Sequence, residues 1–138
     1  MFKKILVPTD GSDVGLKAAR TAAELAKGQG AQVIGVYVID PFPYIGIGDA
    51  SAVGLQAYLT DAKRTAGVAL DVVAQACAAE GVPFAGDTIE RNLVYEGILE
   101  TAKAEGCDLI VMASHGRQGV KALILGSVAQ KVLTHATV

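Results

Sequence analysis

Short runs of β-branched and aliphatic residues alternate along the chain with longer Ala- and Leu-rich runs whose apolar positions recur every three or four residues. That alternation is the signature of parallel βαβ units. The first run, Lys4-Ile5-Leu6-Val7, is almost wholly apolar, as expected of a strand with helices over both faces, and Pro8 stops it. Gly11 and Ser12 then turn the chain. Ser12 or Asp13 is a candidate N-cap, and Leu16, Ala19, Ala23 and Ala26 make a helical stripe that Gly28 and Gly30 are expected to end. Gln32 to Ile39 reads as a second strand, and Asp40-Pro41-Phe42-Pro43-Tyr44 with Gly46, Gly48 and Gly54 predicts a loop without regular structure. From Leu55 onward Leu59, Ala62, Ala66, Ala69, Val73 and Ala76 keep one stripe until Gly81 and Pro83 close the helix. At 1.5 Å per residue it would run for roughly 40 Å, so its start is expected to overhang the sheet or to be irregular. Phe84 to Glu90 is a weaker third strand, and Tyr95, Ile98, Leu99 and Ala102 mark a third helix with Gly106 as its C-cap. Leu109-Ile110-Val111-Met112-Ala113 is the most apolar strand and is therefore expected to be central and buried on both faces. A last amphipathic helix follows over Val128, Val132 and Leu133.

At 138 residues the chain suits one compact domain and is too short for two ordinary ones. Its mean hydropathy of +0.41 invites a membrane reading. No apolar window approaches the roughly 18 residues of a spanning helix, so no membrane role is expected. Twelve basic against fourteen acidic side chains leave a net charge of -2, with no positive field to hold nucleic acid. Too few apolar residues precede Thr9 and Asp10 for a signal peptide, which predicts a cytoplasmic protein. Cys77 and Cys107 lie apart in apolar stretches, as buried thiols do, and His115 and His135 have no second ligand at a zinc-like spacing. A metal site built only of protein ligands is not expected.

Two sheet orders accommodate this alternation, and each puts a ligand crevice where neighbouring connections diverge to opposite faces. In a 2-1-3 type order the crevice lies beside Arg91-Asn92-Leu93, which contains no glycine. In a 3-2-1-4 order it lies between Pro8-Thr9-Asp10-Gly11-Ser12 and Ala113-Ser114-His115-Gly116-Arg117, whose small residues suit anion wrapping by backbone N–H groups, and composition favours this second order. An Asp there can accept hydrogen bonds from ribose hydroxyls or an amino group. The segment from Gly116 to Ser127 has glycines at both ends and opens a helix, whose first N–H groups form an anion site. Turn glycines with a plain N-cap at Ser127 explain the same spacing as well, just as an Asx-turn explains Asp10.

The opening Ile5-Leu6-Val7-Pro8-Thr9-Asp10-Gly11-Ser12 and the later spacing together resemble the universal stress protein family, over nearly the whole chain. The family's nucleotide signature is Gly, two residues, Gly, nine residues, then Gly followed by Ser or Thr. Here it aligns as Ala113-x2-Gly116-x9-Gly126-Ser127, and only the first glycine departs. The resemblance implies a single doubly wound α/β domain of order 3-2-1-4 that binds ATP, with a divalent metal such as Mg²⁺ bridging the phosphates, and that forms homodimers. It implies that Asp10 faces the adenine and ribose with Pro8 and Thr9 lining the base pocket, and that Val38 meets the adenine through its backbone. Met112 and Ala113 would border the ribose, Gly116 would approach the phosphates, and Gly126, Ser127 and Val128 would hold them. Arg117 is within reach of a phosphate, although an Arg in a glycine loop is more often solvated. Family chains continue with a proline and a fifth strand beside strand 4. Here that strand is missing after Val138, which predicts an outer edge of strand 4 that is open or covered by another chain.

No general base is evident, since no acid orients His115, so the expected function is a stress-response or regulatory protein that binds ATP, with slow hydrolysis at most. A receiver-type signalling domain and a nucleotide- or flavin-using enzyme are the alternatives on this fold. The first needs an acidic metal-binding cluster, and Asp10 has no acidic neighbour before Asp13.

Overall fold

The computed structural model describes residues 1–41, 52–114 and 126–138. Among these, four strands form one parallel sheet: β1 (Lys4–Pro8), β2 (Gln32–Ile39), β3 (Phe84–Glu90) and β4 (Leu109–Ile110). Their spatial order is β3-β2-β1-β4. The helices are α1 (Asp13–Gln29), α2 (Ala52–Ala79), α3 (Val94–Glu105) and α4 (Ser127–His135). The result is the 3-2-1-4 order anticipated from composition at the strand ends.

Strand alternation explains the two layers. Ile5, Val7 and Val33 pack against Ala19, Ala22, Ala23 and Ala26 of α1 and against Val73 and Cys77 of α2. Leu6, Ile34 and Val36 point the other way, onto Ile98 and Ala102 of α3 and Val132 of α4. Successive side chains of a strand face opposite sides, so one continuous apolar run serves both cores. The small alanines of α1 let that helix lie close on the sheet, and all four are fully buried. Ser12 caps α1, its hydroxyl accepting the Gly15 amide at 3.3 Å, and Gly30 ends it with a left-handed φ of 66°. Gly28 lies inside the helix, not at its end. α2 likewise begins at Ala52 and runs over Gly54, three residues before its expected start at Leu55. A single helical glycine costs only about 1 kcal/mol, which the rest of a 28-residue helix outweighs. Cys77 and Cys107 are free thiols, both buried, and burial pushes both of their pKa values up.

Strand β4 corrects the expectation of a central strand buried on both faces. It stands at the sheet edge, its Leu109 and Ile110 are only half-buried, and it pairs with β1 alone through Ile5 and Leu6. Its apolar sequence reflects the helices above and below it, which says nothing of lateral neighbours. No strand covers its outer edge among the described residues.

The start of β4 is fastened to the start of β1 by Asp108. Its carboxylate accepts the Lys3 amide at 3.0 Å and the Lys4 amide at 3.1 Å, and Lys4 Nζ donates to the Glu105 carbonyl at 3.1 Å. The Lys3 and Lys4 amides hold the Asp108 pKa below its ordinary value. A carboxylate whose folded pKa is depressed stabilises the fold above its unfolded value and loses that contribution as pH falls through the folded one. Asp108→Ala should therefore lower the melting temperature at neutral pH, and the gap should close as pH falls below about 3.8. Thermal melts of both proteins from neutral to strongly acid pH check this.

Candidate functional site at the ends of β1 and β4

β1 ends at Pro8, paired with Val36 of β2, and the Thr9 amide continues the sheet by donating to the Val36 carbonyl at 2.9 Å. The chain then turns sharply. Gly11 has φ 82°, a conformation other residues resist, and its amide donates to Thr9 Oγ1 at 3.2 Å. Asp10 Oδ1 accepts the Ser12 amide at 2.9 Å, so the Asx-turn is realised, and it fixes the carboxylate at the mouth of the turn. Gly15, in the first turn of α1, leaves the Thr9 hydroxyl room: a Cβ there would stand 3.3 Å from Thr9 Oγ1.

Beyond β4 the Val111 amide donates to the Leu6 carbonyl at 2.9 Å, which carries the parallel register one bond past Ile110, and Met112 and Ala113 follow. The Gly126 amide donates to the Ser114 carbonyl. This bond ties the start of α4 to the segment just after β4, although eleven residues of sequence separate Ser114 from Gly126. Gly116 and Arg117, named from the sequence, lie outside the described residues, as does His115. Pro8, Thr9, Asp10, Met112, Ala113, Gly126 and Ser127 thus come from two strand ends and one helix start.

Val38, Met112 and Val128 share a further relation. All three are partly buried against the core between the sheet and α3 and α4, so their side chains contribute to packing there. Gly97 of α3 sits tightly over Val38, where a Cβ would approach Val38 Cγ1 to 3.0 Å. Sequence reasoning missed Gly15 and Gly97 as supports of the site. Their small size inside helical stripes was the available signal.

The start of α4 suits an anion. Its N-cap is Gly126, which offers no capping side chain, and the first turn carries no acidic residue. The N–H groups of an uncapped first turn, at the positive end of the helix dipole, can take phosphate oxygens. With small residues at Ala113 and Gly126 and free amides at the start of the helix, the described residues fit a nucleotide phosphate. Among the described residues no group of three or more His, Cys, Asp or Glu is placed to hold a metal ion. None of the described helices is long and apolar enough to cross a membrane.

Comparison with known proteins converges on one family. The family model described as the universal stress protein family matches residues 1–138. The universal stress protein MJ0531 of Methanocaldococcus jannaschii is 36% identical over 137 residues, covering 99% of this chain and 78% of that protein. The solved structure of MJ0577 from the same organism superposes with a TM-score of 0.85 at 25% identity, covering 99% of this chain and 92% of that one. The universal stress protein of Archaeoglobus fulgidus, solved in complex with dAMP, shares the fold at a TM-score of 0.65 and 24% identity, with 98% and 92% of the two chains covered. The chain belongs to the universal stress protein family.

Proposed function

We propose that this chain is a cytoplasmic stress-response or regulatory protein that binds ATP at the C-terminal ends of β1 and β4 and associates as a homodimer. The observation that carries the reading is the bond from the Gly126 amide to the Ser114 carbonyl, which ties the uncapped start of α4 to the segment that follows β4, the strand paired with β1. In this reading Asp10 accepts from the adenine and ribose end, with Pro8, Thr9 and the backbone of Val38 against the base. Met112 and Ala113 border the ribose. Gly116, Gly126, Ser127 and Val128 hold the phosphates, and Arg117 extends to them. A relative solved with dAMP supports a nucleotide as the ligand class. Few positive charges offset a triphosphate here, so a divalent cation such as Mg²⁺, brought with the nucleotide, would supply the remaining charge compensation. In this reading the residues of the site bind and orient the nucleotide, with slow hydrolysis at most.

Calorimetric titration with ATP tests this. Binding is expected to be tighter with Mg²⁺ than with a chelator present, and Asp10→Ala should weaken it about ten- to a hundredfold, the worth of one charge-assisted hydrogen bond. Equal affinity for the Asp10→Ala variant would remove Asp10 from the site. Release of a flavin instead of an adenine nucleotide on denaturing the purified protein would overturn the reading.

A further inference from the structure

α2 is too long for its sheet. Its 28 residues span about 42 Å, whereas the seven of β3 span about 23 Å. Among the described side chains its fully buried positions begin only at Ala66, and it packs against α1, β2 and β3. Its opposite face carries a line of exposed positions at spacings of four and three: Val53, Ala57, Asp61, Arg64, Val68 and Val72. The three valines are 81%, 60% and 39% exposed, which is costly for β-branched apolar side chains on one helix face. In the middle Arg64 Nη2 and Asp61 Oδ1 lie 2.9 Å apart, with both side chains about 70% exposed. A shallow groove lined by Val53, Gln56, Ala57, Thr60, Asp61 and Arg64 runs along the first half of this face.

The order of these residues is self-complementary. A two-fold axis crossing α2 between Ala62 and Lys63 would set Val53 against Val72 of a second copy, Ala57 against Val68, and Asp61 against Arg64, with each pairing repeated across the axis. Apolar residues then meet apolar ones at both ends, and two opposite-charge pairs meet at the centre. An isologous interface requires this match between a surface and its own rotated image. We propose that the outer face of α2 is a homodimer surface, pairing antiparallel with α2 of a second copy. The proposal rests on the reading that the chain self-associates and gives that association a place, on the sheet face away from α3 and α4. One helix face about 28 Å long buries less than the roughly 800 Å² per partner of a standard interface, so the dimer is reversible and its population follows concentration.

Charge swapping tests it in sedimentation equilibrium from micromolar to millimolar protein, with circular dichroism as the control for folding. Both charges are exposed, so neither substitution disturbs the core. Asp61→Arg faces Arg against Arg across the axis and Arg64→Asp faces Asp against Asp, and each alone should weaken the dimer at least about tenfold. An equimolar mixture of the two variants should associate again, because every cross-axis pair is then of opposite sign. A wild-type chain that stays monomeric throughout would overturn both this surface and the self-association reading. A dimer unaffected by either single variant, or a mixture that fails to associate, would overturn this surface and leave self-association elsewhere on the molecule.

Discussion

Gly126→Val is expected to abolish measurable ATP binding, a loss of more than about a hundredfold, while the fold persists. The backbone at Gly126 has φ -61° and ψ 150°, which valine adopts without strain, and its amide keeps its bond to the Ser114 carbonyl. An N-cap valine costs at most about 1 kcal/mol of helix stability, since the glycine it replaces contributes no side-chain bond either. What changes is access. A branched side chain at that position stands over the first-turn amides of α4, where phosphate oxygens would come. Calorimetry paired with a thermal melt separates the two effects. If the variant bound ATP normally, the phosphates would not be held at the start of α4. Gly116→Val, at the other glycine of the family spacing, should give the same loss.

Ile98→Ala should remove about 2–5 kcal/mol of stability, a large part of the roughly 5–15 kcal/mol that holds a domain of this size. Ile98 is 2% exposed and among the largest fully enclosed side chains of the protein. It belongs to the cluster that joins Leu6 of β1, Ile34 and Val36 of β2, and Val132 of α4. Truncation leaves a cavity between the sheet and the layer of α3 and α4, and the strands on one side are held by their neighbours and cannot collapse into it. Urea unfolding reads the effect as a lower midpoint with an unchanged slope. A loss below about 1 kcal/mol would mean that α3 and α4 close over the gap, and that this core is softer than its packing suggests.

Much of this protein was legible in its sequence because local chemistry acts over a few residues. β2 and β3 fall where alternation and flanking breakers placed them, at Gln32–Ile39 and Phe84–Glu90, and Ser12 and Gly106 cap their helices as their types predict. The spacing of small residues from Ala113 to Ser127, with the opening strand, was enough to indicate the family, since phosphate approach constrains residue size at fixed steps. Only tertiary structure decided the rest. Apolar content along 109–113 reported cover above and below but could not report how many strands flank it, so the strand expected at the centre stands at the edge of the sheet among the described residues. Gly28 looked like a helix end and Gly54 like part of a loop because a glycine's cost is local, whereas the packing that outweighs it is spread over a whole helix. The meeting of Ser114 with Gly126, and the close approach of Gly97 to Val38, depend on how strands and helices settle on one another. Local preference sets each element; their register on one another is set by long-range burial, which no short window of sequence contains.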